Sequence, residues 1–276
     1  MNIKKLLIGT AASAVMLGSV VFPAFAATII TFSNPQGWST ADTRPGGAVN
    51  FVVDATTPSG AGALQLTTDA TNAAKAQYMH ETQTPIADIT ELSYYTKQNS
   101  ASFAGGDPSY QLVLCLGGLT SAVTPTNPLG CTGFTTMVYE PYENGTVTPG
   151  VWESWDVDAG QMWSSRSFTD GDTCTVSAGA GGAPFYTLSG LQASCPDAVA
   201  IGFGVNVGSY NPSYDVETDL VSFNGDAYDF EPDITPGSDK NACKNGGWMS
   251  FNSPSFKNQG ACVSYITSNE KAGKRH

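Results

Sequence analysis

Basic residues are scarce in most of this chain. Residues 27–236 contain only Arg44, Lys75, Lys97 and Arg166 against 22 acidic side chains, a net charge of −18. A surface of that sign repels nucleic acid and anionic lipid, so neither is expected as a partner of this part. Histidine is scarcer still, with only His80 and the terminal His276. Without a CxxC pair, a zinc site has no ligand set to be built from. GxSxG, HExxH and a phosphate-binding loop are all missing, and with them the common signatures of serine hydrolases, zinc proteases and nucleotidases. After residue 26 no segment is long and apolar enough to span a bilayer.

The first 26 residues read as a secretory signal peptide. Lys4 and Lys5 precede an uncharged apolar stretch over residues 6–22, and Ala24-Phe25-Ala26 fits the small-x-small cleavage pattern. A mature chain starting at Ala27 is expected to be secreted or held at the extracellular cell surface, with no membrane span after cleavage. An uncleaved anchor is the alternative. In an oxidising compartment the six cysteines, Cys115, Cys131, Cys174, Cys195, Cys243 and Cys262, read as three disulfides. Six cysteines permit 15 pairings. Sequential pairing is favoured, because each neighbouring couple encloses turn residues such as Thr124-Pro125, Gly181-Gly182 or Gly246-Gly247.

Between the termini the pattern is short β segments separated by turn chemistry. Residues 49–53, 63–67, 75–79, 92–96, 110–114, 134–140, 152–157, 198–206, 215–223 and 227–230 read as strands. Pro45-Gly46-Gly47, Pro58-Ser59-Gly60 and Gly105-Gly106-Asp107-Pro108 reverse the chain between them. One short helix is expected over residues 187–193, capped by Thr187 and ended by Pro196. The fold class this predicts is all-β, an antiparallel jelly-roll β-sandwich over residues 27–231. A linker (232–237) and a small basic tail module (238–276) complete the expected organisation.

The segments GALQLTT (62–68), KAQY (75–78), LSYYT (92–96), WESWDV (152–157) and DLVSFNGDAYDFEP (219–232) resemble those of uncharacterised secreted bacterial proteins. Their jelly-roll sandwiches are like carbohydrate-binding modules and concanavalin-type lectins. The resemblance implies that the closing YDFEP finishes the sandwich beside the first strand, residues 28–32. The tail resembles a short module, CKxGGW followed by FKNQGxCV, that ends many secreted bacterial proteins of otherwise different kinds.

Two functions from different classes follow. A non-catalytic protein that binds polysaccharide or another cell-envelope component needs exposed aromatic rings beside polar acceptors. Trp152, Trp155 and Trp163, with Tyr142 and Asp156, supply both within a short stretch. Strand alternation sends Trp152 and Trp155 to opposite faces, so one of them belongs to the core. A glycoside hydrolase-like enzyme is the alternative. Asp215, Glu217 and Asp219 alternate along one strand and so share a face, and retaining glycosidases set two carboxyls about 5 to 5.5 Å apart. A purely structural surface protein is the third reading. No cofactor is required, although Asp170, Asp172 and Asp226 in two acidic turns offer oxygen ligands to a structural calcium. The oligomeric state is open.

The tail reverses the charge, with six basic residues against two acidic ones from residue 237 onward. Its expected form is a helical hairpin stapled by Cys243 and Cys262: one helix capped by Ser238 and ending at Asn245-Gly246, and another from about 258 to 267. Lys240, Lys244, Lys257, Lys271, Lys274 and Arg275 suit it to anionic envelope polymers.

Overall fold

The computed structural model describes residues 26–171 and 174–268, so the signal-like segment before residue 26, Asp172, and the cluster Lys271, Lys274 and Arg275 lie outside the described residues. In chain order the strands are β1 (Thr28–Ile30), β2 (Trp38–Ser39), β3 (Gly47–Val53), β4 (Gly62–Thr68), β5 (Ala76–Pro85), β6 (Leu92–Ser100), β7 (Ser109–Cys115) and β8 (Phe134–Tyr139). A four-residue helix α1 (Pro141–Asn144) precedes β9 (Glu153–Asp156), β10 (Met162–Ser164), β11 (Phe168–Asp170), β12 (Cys174–Val176) and β13 (Phe185–Tyr186). Helix α2 (Leu188–Ser194), β14 (Val199–Val207), β15 (Asp215–Phe223), β16 (Asp226–Phe230) and helix α3 (Gln259–Thr267) follow.

Two seven-stranded sheets stack as a jelly-roll sandwich. The first has β15 at its centre. One edge of β15 pairs with β6, which pairs with β9; the other edge is shared by β4 and β16, with β3 and β1 beyond them. The sharing is possible because the ladder breaks between Asp219 and Ser222, where Leu220 takes a positive φ of 46°. The second sheet runs β13-β10-β8-β7-β14-β5-β2. Pairing is antiparallel except where β1 lies parallel to β16, Thr28 opposite Tyr228 and Ile30 opposite Phe230.

Alternation builds the core. Along β7, Tyr110, Leu112 and Leu114 point inward and are fully buried, as are Phe203 and Val205 of β14 and Leu64 and Leu66 of β4. Trp38 stacks on Tyr78 at 5.4 Å and meets Phe203 and Phe230 edge-on, and Phe203 stacks on Phe223 at 4.5 Å. Helix α2 begins as expected, Thr187 Oγ1 accepting from the Gly190 N–H at 3.0 Å, and covers the core with Leu188 and Leu191. The disulfides are Cys115–Cys131, Cys174–Cys195 and Cys243–Cys262.

The tail packs around its own cluster, Cys243, Phe256, Cys262 and Tyr265, with Trp248 and Phe251 against it. Helix α3 is capped by Asn258, whose side chain accepts from Ala261 N–H. The other arm differs from expectation. Residues Lys240–Cys243 form one 3-10 turn capped by Asp239 rather than Ser238, because the Asp239 carboxylate reaches the Asn241 N–H at 2.8 Å. Gly246, with φ of 89°, opens a second 3-10 turn, Gly247–Ser250, instead of closing a helix. The tail touches the sandwich through a polar contact, Ser33 Oγ with Ser253 Oγ at 2.5 Å.

Closing a loop of this size by a disulfide contributes about 3 kcal/mol, a large share for so small a cluster. In the double variant Cys243→Ser/Cys262→Ser, amides of residues 240–267 lose hydrogen-exchange protection while the melting temperature of the sandwich moves by less than about 2 °C. A large fall in sandwich stability contradicts the separation of the two cores.

Candidate functional site

The strand faces not used by the core have opposite fates in the two sheets. On the first sheet the outer face is closed by its own polar groups. Lys97 Nζ sits 2.7 Å from Glu217 Oε2 and also bonds Asp54, whose Oδ2 accepts from Trp152 Nε1 at 3.1 Å. The Trp152 ring lies 5.2 Å from the Lys97 ammonium. Asn99 Nδ2 donates to Glu217 Oε1 at 2.7 Å, and Gln65 Nε2 to Asp215 Oδ1 at 2.8 Å. Burial would raise the Asp54 carboxyl, but hydrogen bonds from Lys97 and Thr56 outweigh it and hold it far below the usual range.

Asp215, Glu217 and Asp219, the alternative catalytic set, are each engaged by partners within the fold. Glu217 is ion-paired and Asp215 is bound by amides. Asp219 is 0 % exposed, covered by Thr57 of the β3–β4 connection, whose hydroxyl donates to Oδ2 at 2.8 Å, and by the Phe230 N–H. Burial pushes its pKa up to about 7. Each carboxylate ties neighbouring segments together.

On the second sheet the outer face is hollow. Cross-strand rows follow from the register: Trp163, Val138, Gln111, Gly204 and Met79 in one, and Ser109, Asn206 and Gln77 in the next. A third runs through Thr136, Val113 and Gly202. Gly202 and Gly204 leave the middle of β14 without side chains, and the φ of 155° at Gly204 is one that only glycine adopts readily. A groove of about 1110 Å³ crosses five strands of this face, roughly 19 Å at the usual strand spacing.

Its floor is polar. Asn206 Nδ2 donates to Gln77 Oε1 at 3.2 Å, and Gln111 Nε2 to Ser109 Oγ at 2.7 Å. Its walls are aromatic. Trp163 stands half-buried at one end, Tyr142 of α1 donates to the Gly181 carbonyl and meets Phe103 edge-on at 5.2 Å, and Tyr210 is 79 % exposed on the opposite lip. Three carboxyls line the same space: Asp42, ion-paired with Lys75 and Arg44, and the buried pair Asp107 and Glu140. Asp107 is 4 % exposed, and its Oδ2 accepts from Thr96 Oγ1, which itself accepts from Trp155 Nε1 at 2.7 Å. Asp107 Oδ1 has no hydrogen-bond partner among the described residues. Burial raises Asp107 and Glu140 to about 8 each, with the Thr96 hydroxyl and the Trp163 indole respectively pulling them back. Burial thus favours the neutral form of both.

The groove unites Trp163 and Tyr142 of the sequence-predicted ligand set but not the others. Trp155 is 8 % exposed and belongs to the core against Tyr139. Trp152 is on the far face of the sandwich. Asp156, on edge strand β9, accepts from the Ala159 N–H at 3.2 Å. Asp170 ends β11 and Asp226 begins β16, in separate hairpins, and the described residues contain no cluster of three or more His, Cys, Asp or Glu side chains arranged for a metal. The floor residues Gln77, Ser109, Gln111 and Asn206 carry a readable signal, polar residues alternating with Tyr110, Leu112, Phe203 and Val205.

No protein-family model and no curated protein matches the chain. Among solved structures it is similar to the family 11 carbohydrate-binding module of the cellulosomal cellulase Lic26A-Cel5E of Clostridium thermocellum, with 9 % identity over 72 % of this chain and 92 % of that one and a TM-score of 0.34. A second is the family 11 module from Clostridium thermocellum in complex with a β-1,3-1,4-mixed-linked tetrasaccharide, with 10 % identity, 73 % and 94 % coverage and a TM-score of 0.34. Likenesses this distant carry no weight for the ligand, and the sandwich is read from its own sheets.

The buried acids set the pH dependence of stability. Unfolded, Asp107, Glu140 and Asp219 release their protons near pH ~4; folded, they do so near 7 to 8. The folded state holds more protons across that window, so stability falls as pH rises from about 4 to about 8. Asp54 acts in the opposite sense, but its window lies below pH ~4. Thermal melts should therefore show a lower midpoint at pH 8 than at pH 5, with a shallower decline in Asp219→Asn. A midpoint that rises over this range contradicts the assignment.

Proposed function

We propose that the protein is a secreted or surface-attached, non-catalytic sandwich that holds a polysaccharide along the outer groove of the second sheet. The observation that carries this reading is the composition of the groove. Sugar rings present flat C–H faces bordered by hydroxyls, and a site for them pairs aromatic surfaces with amide and hydroxyl groups at fixed positions. Trp163 and Tyr142 supply the first, and the Gln77, Ser109, Gln111 and Asn206 rows supply the second. Asp107 Oδ1 has no hydrogen-bond partner among the described residues, and a sugar hydroxyl can supply one.

Cleavage is disfavoured by the chemistry of the same groove. Glycoside hydrolysis needs an ionised carboxylate working against a protonated one. Burial pushes Asp107 and Glu140 the same way, toward the neutral form. The third groove carboxyl, Asp42, is tied up by Lys75 and Arg44, and Glu217 is ion-paired on the other side of the sandwich. Secretion is supported by the signal-like first 26 residues and three disulfides.

Retention of the protein on a panel of immobilised polysaccharides, with reducing-end release assayed in parallel, tests the proposal. Binding without release is expected. Trp163→Ala should weaken it about tenfold, as loss of one stacking ring does, whereas Trp152→Ala should leave it unchanged. Trp155→Ala should destabilise the fold by about 3 to 5 kcal/mol as a core deletion. Binding that depends on Trp152 instead of Trp163 contradicts the placement of the site, and reducing-end release contradicts the non-catalytic reading.

A further inference from the structure

Residues 27–236 have four basic side chains in all. Three of them, Arg44, Lys75 and Arg166, line the groove. The fourth, Lys97, is clamped between Asp54 and Glu217 on the opposite face. In a body with a net charge of −18, almost the whole supply of positive charge is thus directed at one surface.

The cations are disposed at the two ends of the groove. Lys75 precedes β5 and joins Arg44 across an isolated backbone bridge, while Arg166 follows β10, with β8, β7 and β14 between the two strands. Asp42 balances the first pair in part, 2.5 Å from Lys75 Nζ and 3.6 Å from Arg44 Nε. The Arg44 side chain remains half-exposed and donates to Ser209 Oγ at 3.0 Å. Arg166 lies over the Phe134 ring at 4.9 Å and has no carboxylate partner among the described residues. The other two carboxyls of the groove, Asp107 and Glu140, are pushed toward the neutral form by burial. Asp42 is then the one anionic group set against three cations, and the groove is electropositive within an acidic molecule.

We infer that the polysaccharide held in this groove is acidic, a chain whose sugar units repeatedly carry carboxylate or sulfate groups. The inference rests on the glycan-binding reading above and narrows its ligand class. A guanidinium fork fits either anion in a bidentate manner. Placing such groups at both ends of a floor roughly 19 Å wide suits a polymer with repeating charges rather than a single small anion. The acidity of the rest of the body does not prevent contact, because its field is screened within about 8 to 10 Å at ordinary salt.

Affinity of the full chain for polygalacturonate, for the same polymer with its carboxyls methyl-esterified, and for dextran sulfate tests the inference. Tighter binding of polygalacturonate than of its ester by about tenfold, the scale of one charge-assisted hydrogen bond, assigns a carboxylated ligand. A preference for dextran sulfate of the same size over the ester assigns a sulfated one. In either case the double variant Arg44→Gln/Arg166→Gln should bring the ratio close to one. A preference that survives the double variant places the anion off both guanidinium groups and overturns the inference, as does equal affinity for acid and ester. Trp163-dependent binding of the ester without any acid preference leaves the glycan-binding reading standing alone. Failure to bind every glycan tested, these polymers included, removes both.

Discussion

A β-strand has two faces, and this chain builds its core from only one face of each sheet. The inward rows, Tyr110, Leu112 and Leu114 against Leu64, Leu66 and Phe230, fix the register of every strand. Once they are set, the outward residues have no freedom about where they appear. The outer face of the first sheet falls under Lys97, Glu217, Asp215, Gln65 and Asn99, which satisfy one another. The outer face of the second falls under two glycines, a row of amides and the Trp163 ring. Both a closed surface and an open groove follow from one alternation.

Groove and core are also joined chemically. The hydrogen-bonded chain from Trp155 through Thr96 to Asp107 starts in the packed interior and ends on the groove wall. Burying that wall carboxyl favours its neutral form. A neutral acid can donate where an ionised one could only accept, and it leaves the field of Arg44, Lys75 and Arg166 undiminished. The charge of the site is therefore set partly by packing and not only by which ionisable residues are present.

Much of the framework was legible in the sequence. Period-two runs marked β15 over the same residues 215–223 that it occupies, and Thr187 and Asn258 marked the starts of α2 and α3. The very short strands β2 and β10 to β13 were not, since two or three residues establish no period. The site was legible only in fragments. Trp152, Trp155 and Trp163 are close in sequence yet end on the far face, in the core and in the groove, because alternation fixes which residues are opposed but not which side faces the partner sheet. The groove itself gathers side chains from positions 42 to 214, a convergence made by the order of strands in the second sheet. Asp107 looked like one member of a turn, and only burial revealed it as an acid with an altered charge.

The five indole N–H groups report on every surface at once, so their two-dimensional 15N–1H NMR spectrum, recorded while soluble neutral and uronic-acid oligosaccharides are titrated in turn, tests the central claim most directly. Trp163 is in the groove, Trp152 on the opposite face, Trp248 in the tail, and Trp38 and Trp155 in the core. The account predicts a large, saturable shift of the Trp163 resonance, with those of Trp152 and Trp248 unmoved. A saturable shift confined to Trp152 or Trp248, or no shift at any indole with either class of sugar, contradicts it.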